Sequence, residues 1–158
     1  MKQKVYIETS VISYLCGRAS RNLVVSANQK LTREWWKTCR RKYEIYISQL
    51  VLDEITGGDA EAAGKRRNTI EGIEILPING QVEQLAGEIL KRTGLPRRVT
   101  DDIIHIAVAS VFGLEYLLTW NCAHIANPRW QARIRLIAGQ LGYMMPEICT
   151  PQQMIEGE

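Results

Sequence analysis

Two kinds of run alternate along the chain. Short, mostly apolar runs stand at residues 4–7, 44–47, 73–76 and 116–119. They read as strands covered on both faces of a parallel sheet, where neither side leaves room for alternating polar residues. Between them lie longer stretches with helical spacing. Thr9 and Ser10 can cap a helix that runs to Cys16 and stops at Gly17. Residues 23–42 predict a long second helix. Ser48 caps a third over 49–55, and 60–72 reads as a fourth, after the break at Gly57 and Gly58. Residues 81–93 place Val82, Leu85, Ile89 and Leu90 on one face, and Gly94 and Pro96 close that helix. Thr100 and Asp101 cap another through Phe112, with Gly113 as the break. A helix resumes after Asn121 and runs over 130–141 to Gly142, with Pro128 near its first turns. Residues 148–150 can add an edge strand before a short last helix at Gln152.

Strands separated by helices predict a three-layer α/β/α sandwich with a mainly parallel sheet of about four to five strands. No internal repeat or linker interrupts the pattern, so residues 1–158 are expected to form a single domain, as the length also suggests.

Composition narrows this picture only slightly. At 46% hydrophobic residues the chain has material for one core. Twenty Lys and Arg against 17 Asp and Glu leave +3, which is far from a polybasic binder, so a nucleic-acid partner would have to meet a local patch. The arginines and lysines at 37, 40, 41 and 42, and again at 65, 66 and 67, are candidates, though helical charge runs are usually solvated faces. Cys16, Cys39, Cys122 and Cys149 lack the spacing of a zinc knuckle or redox motif and read as reduced thiols. The most apolar region, 103–118, holds His105, Ser110, Gly113 and Glu115 and is too short and too polar to span a bilayer. Met1 runs almost directly into a strand with no signal-peptide core, so a cytoplasmic protein with no membrane partner is expected.

Ligands of open α/β sheets sit beyond the carboxyl ends of the strands. Glu8 ends the first strand there, and Asn121 follows the strand at 116–119. Asp101 and Asp102 open a helix, and Glu54 lies on the helix after the second strand. Each has a bland reading: acids favour helix N-termini, a glutamate on a helix is often solvated, and Asn121 can cap the helix behind it. Taken jointly, carboxylates sharing one crevice repel one another unless a cation intervenes. A hard divalent ion such as Mg²⁺ or Mn²⁺ suits such oxygens and leaves positions for phosphodiester oxygens, which points to phosphodiester hydrolysis.

The motifs then carry a resemblance. Val5-Tyr6-Ile7-Glu8-Thr9-Ser10 resembles the opening motif of PIN-domain proteins, an apolar strand followed by Asp-Thr-Ser. Val51-Leu52-Asp53-Glu54-Ile55 is similar to the second motif, Asp102-Ile103-Ile104-His105-Ile106-Ala107 to the third, and Leu117-Leu118-Thr119-Trp120-Asn121 falls at the fourth. The resemblance implies a VapC-like toxin of a toxin–antitoxin pair: a Mg²⁺- or Mn²⁺-dependent ribonuclease with an RNA substrate, a cognate antitoxin and a homodimeric state. It assigns Glu8 and Asp102 to the metal, Glu54 to the metal through water or to the attacking water, and Asn121 to the rest of the shell. Thr9, Ser10 and Thr119 then fall beside the substrate, and Arg97 and Arg98 can hold phosphate oxygens.

Two departures stand out. Glu8 replaces the usual Asp with a side chain one methylene longer, and Asn121 stands where many members have Asp, which favours one metal over two. If both are damaging, the domain is a weak or inactive PIN fold that binds RNA or a protein. A flavodoxin-like nucleotide binder would need a glycine-rich turn after the first strand, and the chain has none there.

Three further positions are ambiguous. Trp35 and Trp36 point about 100° apart on their helix, so one should lie outside the core, and Trp130 reads as core or interface. His105 lies three residues past Asp102 and can orient a carboxylate or satisfy a core hydrogen bond. Cys122 and His124 carry no assigned chemistry.

Overall fold

The computed structural model describes residues 1–157; the last residue of the expected domain, Glu158, lies outside them. In chain order the elements are β1 (Gln3–Ile7), α1 (Thr9–Cys16), α2 (Leu23–Thr38), β2 (Tyr43–Ser48), α3 (Gln49–Ile55), α4 (Ala60–Thr69), β3 (Glu74–Leu76), α5 (Gly80–Thr93), α6 (Thr100–Val111), β4 (Tyr116–Leu118), α7 (Pro128–Gln140), β5 (Glu147–Cys149) and α8 (Pro151–Glu156). Two 3₁₀ turns, Arg40–Lys42 and Arg97–Val99, lead into β2 and α6.

All five strands pair in parallel in the order β3-β2-β1-β4-β5. The fully buried trio Val5, Tyr6 and Ile7 explains why β1 takes the centre: an unbroken apolar segment is stable only with both faces covered and both edges paired. The coverage comes from two groups of helices. On one hand α1 packs with α2, α3 and α4, and α2 with α8; on the other α5 packs with α6 and α7. This is the expected α/β sandwich, with the sheet parallel throughout.

From β1 the chain moves outward through β2 to β3, then crosses back to lay β4 against the other edge of β1. The β1–β4 boundary is therefore the topological switch point, where the connections part in opposite directions and leave a crevice at the carboxyl ends. The register fixes what faces it. Ile7 lies beside Leu118, Glu8 N–H donates to the Leu118 carbonyl at 3.0 Å, and Thr119 N–H donates to the Cys149 carbonyl at 2.9 Å. Glu8 and Thr119 are thus the first residues past two adjacent strand ends.

Several expected boundaries shift for local reasons. The long helix ends at Thr38, and residues 40–42 tighten into a 3₁₀ turn that redirects the chain into β2. The helix expected to reach 72 stops at Thr69, with Gly72 taking a positive φ of 80° before β3 begins at Glu74. Thr119 falls outside β4, because its side chain already works in the crevice. Residues 122–126 form turns, and α7 starts at Pro128 under an Asn127 cap. Neither Thr100 nor Asp101 caps α6: the 3₁₀ turn runs straight into it, and the Thr100 hydroxyl donates to the Arg97 carbonyl at 2.7 Å instead.

Trp35 is fully buried, and Trp36 is the outer of the two, half-buried with the Arg40 guanidinium 4.2 Å above its ring. Among the described residues no helix is long and apolar enough to cross a membrane, and all four cysteines are free thiols.

Candidate active site

The crevice is built on Glu8. Thr9 and Ser10 were the expected caps of α1, but the cap is Glu8 itself, with extended backbone (φ −82°, ψ 159°) and its Oε2 accepting from Ser10 N–H at 3.1 Å. The Glu8 carboxylate curls back over its own helix N-terminus, where the exposed amides and the helix dipole favour a negative charge. Its Oε1 accepts from the Ser10 and Thr119 hydroxyls, the latter at 2.6 Å. Each hydroxyl also accepts from the backbone leaving β4, Ser10 Oγ from Trp120 N–H and Thr119 Oγ1 from Asn121 N–H, both at 2.9 Å. The carboxylate is only 6% exposed, so these donors replace most of its hydration.

Asp102 enters from the first turn of α6. Asn121 Nδ2 donates to its Oδ1 at 3.1 Å, and Asn121 Oδ1 accepts from His124 N–H at 3.2 Å. His124 Nδ1 stands 3.2 Å from Asp102 Oδ2, and its ring stacks parallel on Trp130 with centroids 5.6 Å apart. Burial pushes the Asp102 carboxyl above its usual range; His124 and His105 pull it down, while the charges of Glu8 and Glu54 push it further up. The repulsion from two other acids places three carboxylates within electrostatic reach of one another.

Glu54 comes from α3, its side chain 32% exposed. Its Oε1 accepts from Thr9 Oγ1 at 2.7 Å and faces His105 Nε2 at 2.8 Å. Burial alone would raise this carboxyl, but the hydrogen bond and charge of His105, with the Thr9 hydroxyl, hold it below the usual value. Behind it, His105 Nδ1 meets the Tyr6 hydroxyl at 2.6 Å, and that hydroxyl lies 2.8 Å from Ser48 Oγ. Burial, reinforced by Glu8 and Glu54 against the Ser48 hydrogen bond, raises the Tyr6 phenol well above its ordinary value, so it stays protonated.

The fold therefore brings together Glu8, Thr9, Ser10, Glu54, Asp102, Thr119 and Asn121. Arg97 and Arg98 stand outside this hydrogen-bonded set, exposed on the turn before α6; among the described residues neither guanidinium forms an ion pair. His105 serves both readings given to it, a buried core histidine that also orients a carboxylate. His124 was the residue missed. Its one sequence clue is the Asn121-to-His124 spacing, which suits an Asn side chain accepting the backbone N–H three positions on.

The donor set of three carboxylates and a carboxamide is made of hard oxygens and fits Mg²⁺ or Mn²⁺. Among the described residues no three His, Cys, Asp or Glu side chains converge closely enough to enclose an ion alone. Mg²⁺ sites seldom need that many, since one or two carboxylates with water and substrate phosphates complete the octahedron. Glu54 Oε2 has no protein donor among the described residues, and Glu8 Oε2 accepts from the Ser10 amide alone, so both retain acceptor capacity.

Comparison with known proteins agrees with this fold. The family model of the PIN domain matches residues 5–121. VapBC2 from Rickettsia felis, solved bound to a DNA fragment from its promoter, superposes with a TM-score of 0.63 at 14% identity, covering 94% of this chain and 98% of that one. VapC20 of Mycobacterium tuberculosis, described as a sarcin-ricin loop cleaving toxin, gives 0.62 at 16% identity over 82% and 95% of the two chains. VapBC-1 from nontypeable Haemophilus influenzae gives 0.61 at 14% over 95% and 99%. At these identities the likeness is one of fold. No curated protein sequence matches the chain.

Proposed function

This chain belongs to the PIN-domain family, and from that premise we propose that it is a divalent-metal-dependent endoribonuclease, a VapC-like toxin acting as a single cytoplasmic domain. The observation that carries the reading is the meeting of Glu8 and Asp102 across the β1–β4 switch point, with Thr119 and Asn121 between them and Glu54 alongside. In this reading Glu8 and Asp102 hold Mg²⁺ or Mn²⁺ and Asn121 completes the oxygen set. When bound, the ion supplies a lowered water pKa and neutralises charge building on the phosphorus oxygens.

The chain's own groups prepare that chemistry. Thr119, the Ser10 hydroxyl and the Ser10 amide fix the Glu8 carboxylate before substrate arrives, so little reorganisation is needed. Asn121 and His124 hold the two oxygens of Asp102 apart in defined directions. Glu54 stays ionised near neutral pH and offers Oε2 to accept a proton from the attacking water or to orient it. Thr9 and Ser10 flank the position of the scissile phosphate, and Arg97 and Arg98, exposed at the entrance to α6, neutralise phosphates of the RNA strand further along. An antitoxin partner and a homodimeric state complete the proposal; the fold is shared with proteins solved as VapBC assemblies.

A single-turnover cleavage assay with Mn²⁺ or Mg²⁺, comparing the wild type with Asp102→Asn, tests it. Loss of cleavage by about 100-fold or more is expected from removal of a charged ligand. Equal cleavage by both proteins would sink the mechanism.

One observation favours a second reading, a PIN domain that binds RNA or a protein without cutting. Glu8 is already satisfied by three protein donors, whereas a bare carboxylate would demand a cation. Calorimetric titration separates the two: heat of Mn²⁺ binding at millimolar ion that disappears in Asp102→Asn supports the nuclease, and no binding supports the module.

A further inference from the structure

Glu54 is the most exposed of the three carboxylates and sits on a seven-residue helix, so unrestrained its side chain would sample several rotamers. It is restrained from behind by a buried line of groups. Ser48, Tyr6 and His105 are 0%, 0% and 1% exposed, and they connect in sequence to Glu54 at 2.8, 2.6 and 2.8 Å.

With a neutral imidazole the donors and acceptors of this line have one consistent order. A carboxylate ionised near neutral pH only accepts, so His105 Nε2 carries a hydrogen and donates to Glu54. In the neutral ring Nδ1 is then an acceptor, and the Tyr6 phenol, protonated at neutral pH as an ordinary tyrosine is, donates to it. Tyr6 in turn accepts from the Ser48 hydroxyl, whose oxygen accepts from Val51 N–H at 3.3 Å as the cap of α3. The line thus leaves α3 at its cap, crosses β1 and α6, and returns to α3 three residues past Val51. Both donors to Glu54 fall on Oε1, which leaves Oε2 without a protein donor among the described residues and available to serve the crevice.

We infer that His105 is a positioning residue, held in its Nε2–H tautomer by Tyr6 and Ser48, that aims Oε2 of Glu54 at the reacting water. The activity part of this inference rests on the ribonuclease reading; the tautomer part does not. A core histidine serving packing alone would need neither nitrogen directed at a functional carboxylate, and a hydrophobic residue of similar size would serve it as well.

The test pairs kinetics with spectroscopy. His105→Leu keeps the bulk and removes both hydrogen bonds, His105→Gln keeps a donor near the Nε2 position, and Tyr6→Phe removes only the hydroxyl behind the ring. Single-turnover RNA cleavage with saturating Mn²⁺ should fall about 10- to 100-fold in His105→Leu with RNA affinity unchanged, and His105→Gln should recover most of it. Cleavage by His105→Leu at the wild-type rate, or loss in His105→Gln equal to that in His105→Leu, overturns the inference.

Long-range ¹⁵N–¹H spectra of the imidazoles apply whether or not the protein cuts RNA, and assignment is direct because the chain has two histidines. His105 should appear as the Nε2–H tautomer in the wild type and as a tautomer mixture in Tyr6→Phe. An Nδ1–H tautomer in the wild type, or an imidazolium protonated on both nitrogens at neutral pH, overturns the relay. If the wild type cuts nothing with either metal while His105 shows Nε2–H, the ribonuclease reading fails and the relay stands.

Discussion

Thr119 Oγ1 lies 2.6 Å from Glu8 Oε1 and 2.9 Å from the Asn121 amide nitrogen, so one buried hydroxyl ties the carboxylate ending β1 to the backbone leaving β4. Thr119→Val retains the shape and removes both roles, stranding a nearly buried charge and a backbone N–H. A loss of about 1–3 kcal/mol is expected, and Thr119→Ser should restore most of it. Urea unfolding of the three proteins checks this; a valine variant within 0.5 kcal/mol of wild type would mean that water replaces the hydroxyl freely.

Asp102 gives a pH dependence whose sign follows from its raised carboxyl. Its folded pKa lies above the unfolded value of about 3.9, so between the two the folded chain holds a proton that the unfolded chain has released. The stability contributed by this group therefore declines as pH rises through that window, and the full cost is felt above the folded pKa. Asp102→Asn cannot ionise, so without divalent ions its stability relative to wild type should improve as pH rises from the unfolded value of about 3.9 through the raised folded one. Glu54 has the opposite sign, its stabilisation being lost as pH falls through its lowered folded pKa, but it is present in both proteins and largely cancels. A flat or reversed difference would contradict the burial and repulsion assigned to Asp102.

His124→Ala removes the pair with Asp102 and the face that rests on Trp130. Manganese affinity measured by calorimetry should drop about 10-fold, the low end for a group that orients a metal ligand. If the affinity is unchanged, the pair is idle and His124 only packs.

The thiols should separate cleanly in reactivity. Cys122 is exposed in the turn after Asn121, Cys39 is buried, and burial, with Glu147 adding, pushes Cys149 up to about 12. At pH 8 a disulfide reagent should modify Cys122 rapidly in the native protein, while Cys149 reacts only on unfolding. A fast phase that persists in Cys122→Ser would show that another thiol is open.

The sequence was most informative where a pattern is local and repeated. The apolar runs at 4–7 and 116–119 place Glu8 and Asn121 at strand ends, and parallel pairing then brings those ends together. Motif spacing does the same for Glu54 and Asp102. What escaped depends on side-chain reach and irregular backbone. Cap preferences favour short side chains, so Thr9 and Ser10 looked better than Glu8, whose longer arm reaches the same amide. His124 belongs to a stretch of turns with no periodicity, and only the Asx bond from Asn121 swings it onto Asp102. Arg97 and Arg98 lie in solvent on the 3₁₀ turn before α6, where exposure suits a phosphate contact as well as a solvated loop.

The strand order also governs when the crevice can exist. β1 is made first yet lies in the middle of the sheet, and the hydrogen bond from Thr119 to Glu8 closes a span of 111 positions. Until that distant segment has been synthesised, the early chain can pair β1 on one edge only, and its acidic end has no partner across the switch point. Closing so long a loop is slow compared with forming local helices. A growing polypeptide of this design stays incomplete at its acidic centre through most of its own translation, and the centre forms in one late step.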